Sequence, residues 1–170
     1  MSIWATITDK DHGYKRLRLN MSTGADSYTL VGFPEKGTAG LPTQSGSRHE
    51  EYDWDTVIGI ASVHEFGTLD GNVPARPFLR PAIDGGHDEI AKVKQRALEL
   101  MIDGKLTSKQ ALAVVGEYAQ GRIQRAIDRV TSPALKPATI KRKGSSKPLI
   151  DTGQMRNSVQ HVEVMSGEGV

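Results

Sequence analysis

At 170 residues the chain suits one full domain and is short for two. Lys+Arg 22 against Asp+Glu 20 leaves a net charge of +2, too balanced for a protein whose main task is to coat nucleic acid. A hydrophobic share of 37% with 18 glycines argues against wholesale disorder, and zero cysteines exclude a disulfide scaffold, a thiol nucleophile and any cysteine-ligated metal.

In chain order, residues 1–20 lack an uninterrupted apolar stretch, so no cleavable signal is expected, and nothing approaches the run of about 18 apolar residues that crosses a bilayer. Residues 2–8 alternate, with Ile3, Ala5 and Ile7 on one face and Trp4 and Thr6 on the other, which predicts a strand. Tyr14, Leu17 and Met21 predict a short helix over 9–21, with Asp9 or Asp11 placed to cap it. Residues 27–33 favour a second strand, ended by Pro34. From 34 to 52 there is no periodicity among Pro34, Gly37, Gly40, Pro42 and Gly46, so an exposed loop that orders against a partner is expected.

The stretch 53–56 offers cap chemistry for a helix through Val57, Ile58, Ile60, Ala61 and His64, favoured over a buried strand. Gly67 is placed to end it in the left-handed conformation. Pro74, Pro77 and Pro81 then push Val73, Arg76 and Arg80 toward extended geometry, predicting a stiff non-helical strut. Ile90, Val93, Ala97, Leu100 and Met101 form one helical stripe over 87–102, with Asp88 and Glu89 at its positive end and Gly104 closing it. Thr107 and Gln110 have capping-box spacing and open a helix to about residue 130, carrying Leu112, Val115, Ala119, Ile123, Ala126 and Val130 on one face. Gly116 and Gly121 inside it mark either a bend or the close approach of another backbone. The short link makes an antiparallel helix pair at about 87–130. A proline-rich basic loop is expected at 132–148, then a cap and tight turn at Asp151, Thr152 and Gly153, a helical turn through Met155, a last strand over 159–165 and a flexible tail at 166–170.

Chemistry is sparse. His64-Glu65 is half of a zincin motif, but the second histidine four residues on is replaced by Thr68, and the five histidines have no ligand spacing. A structural histidine with its hydrogen bonds satisfied is the expectation at 64; a hydrolase using His64 and Glu65 is a minor reading. There is no nucleophile elbow, Gly85-Gly86 lacks the rest of a phosphate loop, and the Glu50-Glu51 pair falls in the 34–52 loop, where no apolar pocket raises a carboxyl pKa. No catalytic residue, metal or cofactor is expected. Lys136, Lys141, Arg142, Lys143 and Lys147 make the one strongly one-signed stretch, open to phosphate contact, to an acidic partner or to plain solvation. No aromatic residues interleave with it, so a single-strand stacking platform is absent.

Two blocks are more specific. His64-Glu65-Phe66-Gly67-Thr68 followed by Val73-Pro74-Ala75-Arg76-Pro77-Phe78-Leu79-Arg80-Pro81 resembles a signature of tailed-bacteriophage virion-morphogenesis proteins, the small neck or tail-completion proteins that join head to tail. Pro137-Ala138-Thr139-Ile140-Lys141-Arg142-Lys143-Gly144, then 147–158 from Lys147 through the Asp151-Thr152-Gly153 turn to Ser158, resembles that family's C-terminal block. The resemblance covers about residues 55 to 165. It implies one α+β domain over 1–165, a small antiparallel sheet packed against helices, assembled as a homo-oligomeric ring, hexameric by the family's habit. It implies a tail completion, tail terminator or neck connector protein of the virion, made in the host bacterial cytoplasm, with no enzymatic activity and no cofactor. The implied partners are the chain itself, adjacent neck and tail-tube proteins and double-stranded DNA passing weakly through the channel, with no membrane. Phe66, Arg76, Phe78 and Arg80 are the candidate subunit or partner interface, with Phe78 and Leu79 as readily core; Arg76 is expected to find a carboxylate that orients the strut, inside the subunit or across the ring. Lys141, Arg142, Lys143 and Lys147 are the candidate DNA or acidic-partner contacts. The alternative reading is a DNA-binding or DNA-end-holding protein using 136–147.

Overall fold

A computed structural model describes residues 14–33 and 54–166. In chain order the elements are α1 (Tyr14–Gly24), β1 (Tyr28–Gly32), α2 (Trp54–Phe66), α3 (Leu79–Asp84), α4 (His87–Ile102), α5 (Ser108–Arg129), α6 (Pro137–Lys143), α7 (Gln154–Asn157) and β2 (Gln160–Val164). The expected strand at 2–8, the capping residues of the first helix, the loop at 34–52 and the end of the tail lie outside the described residues.

The fold is α+β, a small antiparallel sheet packed against helices. β1 and β2 pair antiparallel, Tyr28 opposite Val164 through Gly32 opposite Gln160. One sheet face lies on α5, and Gly116 is why it can. A Cβ there would stand 2.7 Å from Thr29 Oγ1 and 2.9 Å from His161 Cβ, so the glycine admits the sheet rather than bending the helix. The other face carries Tyr28 and Leu30, both exposed.

α4 and α5 form the expected antiparallel pair. The Thr107 side chain accepts from the Gln110 backbone N–H and the Gln110 side chain accepts from the Thr107 N–H, a complete capping box. Glu89 near the start of α4 reaches Arg122 far along α5 at 3.5 Å. The buried face of α5 is rotated from the expected one: Ala111, Gly116 and Ile127 are buried with Ala119 and Ile123, while Leu112, Val115, Ala126 and Val130 are only half-buried. Small residues let the sheet and α4 come close, and that close approach decides which face is covered.

Two expectations about prolines are corrected. The strut stays irregular only to residue 78; Arg80 and Pro81 lie in the first turn of α3. The 137–143 part of the basic loop is helical, with Pro137 in its first turn and Gly144 as a left-handed C-cap. In both places the proline occupies a first-turn position whose N–H has no intrahelical partner, so it costs no hydrogen bond.

The main core gathers Val57 and Ala61 of α2, Phe78, Ala82 of α3, Ile123 and Ile127 of α5, Leu149, Met155 of α7 and Val159. Phe33 meets Phe78 edge-on at 6.2 Å between centroids. Arg156 of α7 sits with Nε 3.0 Å from both Asp128 carboxylate oxygens, which ties the C-terminal block to α5.

Candidate functional site

The two blocks that carry the resemblance, far apart in the chain, meet in space. α2 ends at Phe66, and Gly67 turns the chain at φ +77; a Cβ there would stand 2.9 Å from the Ala75 backbone nitrogen. The turn at 68–73 is closed by Asp70, whose Oδ1 accepts from Asn72 N–H at 3.0 Å, and by Thr68, whose Oγ1 accepts from Val73 N–H at 3.0 Å. The returning chain pairs back on α2, Arg76 N–H donating to the His64 carbonyl at 2.6 Å.

Glu65 is buried to 4% exposure, and its carboxylate caps α3 from outside that helix. Its Oε2 accepts from Phe78 N–H at 2.8 Å and Leu79 N–H at 2.9 Å, and Oε1 accepts from Arg80 N–H at 3.2 Å. Burial alone would raise its pKa; those three donors and the Arg80 guanidinium outweigh it and hold the carboxyl below its ordinary value. Glu65 is therefore an anchoring anion, and its engagement with three backbone donors leaves it poorly placed as a general base.

The four candidate interface residues divide into two pairs. Phe78 (1% exposed) and Arg76 (4%) are buried in the chain's own fold, so neither forms part of the outer surface, although Arg76 lines a cavity. Phe66 is 66% exposed, and the Arg80 guanidinium lies over its ring at 5.0 Å. Those two face outward together.

Among the described residues Arg76 has no carboxylate partner within the chain. Its Nε donates to the Pro133 carbonyl at 2.7 Å and Nη2 to the Ala134 carbonyl at 3.4 Å. The chain at 131–136 is irregular, so those carbonyls are not consumed by a ladder and can hold a guanidinium.

His64 also departs from expectation: its Nδ1 is buried and has no hydrogen-bond partner among the described residues. Burial first, then the positive charges of Arg76 and Lys143, depress its pKa, so the imidazole is neutral at pH 7. Of the basic stretch, Lys141, Arg142 and Lys147 are exposed. Lys143 turns inward, its Nζ donating to the carbonyls of Lys147 at 2.6 Å and Pro148 at 3.2 Å. Burial lowers the Lys143 pKa; Asp151 opposes this and Arg76 adds to it.

His64, Arg76 and Lys143 line one cavity of ≈ 430 Å³ between the two blocks. At Asp151-Thr152-Gly153 the tight turn is present, with Gly153 at φ +82 and Thr152 Oγ1 accepting from Gln154 N–H at 3.4 Å. Sequence reading missed a second basic feature: Arg122, Arg125 and Arg129 on α5 line a smaller hollow beside Pro77 and Pro81. Their spacing of three and four residues, which places side chains on one helix face, was the available signal.

Among the described residues no group of three or more His, Asp or Glu is arranged to hold a metal, and no helix is long and apolar enough to cross a membrane.

No family model matches the chain. It is similar to an uncharacterized protein of Methanocaldococcus jannaschii, 39% identical over 41 residues, which make up 24% of this chain and 30% of that protein. The chain thus spans less than a third of the length of the curated relative it matches. No solved structure matches it.

Proposed function

We propose that the chain is a structural protein of a tailed-bacteriophage virion, a homo-oligomeric ring subunit at the head–tail junction through which DNA passes. One observation carries the reading. The two blocks that resemble the virion-morphogenesis family build a single unit, with Phe78 and Ala82 of the first sharing a core with Leu149 and Met155 of the second. Sequence similarity confined to two distant stretches has a physical reason when those stretches pack on each other.

The surface supports assembly. Phe66 and Arg80 project as a stacked pair, and Leu69 beside them is fully exposed; aromatic and arginine side chains are favoured anchors of protein contacts. Leu98 and Ile102, one turn apart on α4, are 51% and 52% exposed, and Leu19 and Met21 on α1 are each 61% exposed. A head-to-tail ring closes when two unlike patches of one subunit meet around the rotation. The chain offers unlike candidates: the Phe66–Arg80 pair with Leu69, and the exposed apolar residues of α1 and α4. Glu65 is committed to the α3 backbone.

The test is mass and imaging. Purified protein should form closed rings, with six copies the expected number, and deletion of its coding sequence from the phage should leave heads and tails unjoined. Joined, infectious particles without the protein would overturn the reading.

A DNA-binding or DNA-end-holding role is the second reading, favoured by the exposure of Lys141, Arg142 and Lys147 and by the arginine row on α5. It expects retention on duplex DNA at physiological salt, lost when Lys141, Arg142 and Lys143 are neutralised together. Passage of DNA through a ring needs weak contact, so the ring reading expects no such retention.

A further inference from the structure

The cavity between the two blocks holds a buried cation with no carboxylate partner among the described residues. Arg76 is 4% exposed; Nε and Nη2 are engaged by carbonyls, and Nη1 has no hydrogen-bond partner among the described residues. Arg76, Lys136, Arg142 and Lys143 all line the cavity, against one carboxylate, Asp151. Among the described residues no carboxylate lies within ion-pair distance of any of these four cations. Two carbonyl dipoles soften but do not neutralise a guanidinium taken out of water, and a buried charge is ordinarily paired. His64 adds a buried Nδ1 with no partner on the same wall.

The rest of the lining is mixed: Val57, Ile60, Leu135, Leu149 and Met155 give it apolar surface beside the polar side chains of Asn72 and Gln154. The volume, ≈ 430 Å³, falls within the range of sites that enclose a small group. A partly apolar cavity with a held, buried guanidinium in its wall and further cations around it has a defined complement.

We propose that this cavity receives a carboxylate on an apolar stem, as the side chain of a glutamate in a docking protein segment presents it. The guanidinium supplies the donors, and the methylenes lie against the apolar part of the lining near His64. Lys136 and Arg142 steer the approaching acid. A duplex phosphate is the poorer fit, because a rigid rod cannot carry its backbone down to a side chain that is 4% exposed. The inference stands apart from the ring reading, since any acidic protein segment satisfies it, whether from a second copy or another partner.

The test titrates the full chain with an N-acetylated, C-amidated pentapeptide, Ala-Leu-Glu-Leu-Ala, and with its glutamine counterpart, read by calorimetry and by the His64 ring resonances. The glutamate peptide should bind saturably and move the His64 signals, and the glutamine peptide should bind about tenfold or more weakly. Arg76→Met should remove that preference. Because that variant can also disturb the hold on residues 133–134, Ala134→Trp serves as the second: position 134 is exposed, and an indole there plugs the cavity without removing a charge. It should abolish binding while leaving the melting temperature unchanged. Equal binding of the two peptides, or binding that survives Ala134→Trp, overturns the proposal. Displacement of the peptide by inorganic phosphate or by a short DNA duplex at lower concentration overturns it in favour of a phosphate site. Tighter binding of free 4-methylpentanoate than of the peptide overturns the protein source and assigns a small organic acid instead.

Discussion

The two ends of α5 are packed in different ways. Toward its C-terminus Ile123 and Ile127 are enclosed with Phe78, Leu149 and Val159, large side chains that are nearly or fully buried. Toward its N-terminus the buried residues are Ser108, Ala111 and, from α4, Ala97. That end is stitched by polar contacts: Ser108 Oγ donates to the Asn20 carbonyl at 2.5 Å and Asn20 Nδ2 to the Leu106 carbonyl at 3.4 Å. Apolar area buried sets most of the stabilisation, so one end is a core and the other a clasp. Local opening should begin at the clasp and leave the two-block unit intact.

The comparison breaks most visibly at Phe78. Phe78→Ala should cost about 3–5 kcal/mol in chemical denaturation, with assembly lost only as a consequence. An unchanged melting temperature with assembly alone abolished would show that the ring is an interface anchor and that the core end is not where stability lies. Glu65→Ala follows. It strips three backbone donors of their acceptor and should cost about 2–3 kcal/mol, while Glu65→Gln, which keeps an acceptor, should cost less. Gly67→Ala forces a side chain into positive φ and against the Ala75 backbone, for about 1–3 kcal/mol. At the clasp, Ser108→Ala should cost about 1 kcal/mol and speed amide exchange around residues 104–112 without speeding it at 123–127.

Acid should act on the two-block unit in two steps. The folded His64 pKa lies below 6.5, so between that value and its folded pKa the unfolded chain binds the proton first, and stability falls as pH drops through this window. Glu65 is depressed from 4.5, so its contribution is complete above that pH and is lost as pH falls toward its folded value. Urea midpoints measured from pH 8 to pH 4 should decline with acidification, and His64→Gln should flatten the upper part of the curve. A midpoint that rises between pH 7 and pH 5.5 would contradict the buried neutral imidazole.

What could be read from the sequence followed from local rules, and what could not followed from distant ones. The Thr107 box, the stripe from Ile90 to Met101 and the strand-forming residues of 27–33 and 159–165 are written in neighbouring residues, and those elements are where expected. α3 and α6 escaped because Pro81 and Pro137 were weighed as breakers, although a proline in a first turn breaks nothing. At the site, His64 and Arg76 were singled out from the motif, but their surroundings were misjudged. The carbonyls that hold Arg76 lie 57 and 58 positions away in irregular chain, which no periodicity announces. The exposure of Phe66 beside the burial of Phe78 was equally hidden, since both are aromatic residues in one short motif.

The hold of Glu65 on α3 runs entirely to main-chain nitrogens, apart from one long ion pair with an exposed Arg80. Every residue type except proline brings the same nitrogen, so replacing Arg80 leaves this tie standing and removes only what its side chain does at the Phe66 ring. A change at 65 cuts all three links at once. Among single replacements, those at 65 should be lost to misfolding, while those at 80, a few ångströms away, should fold and be judged by assembly alone.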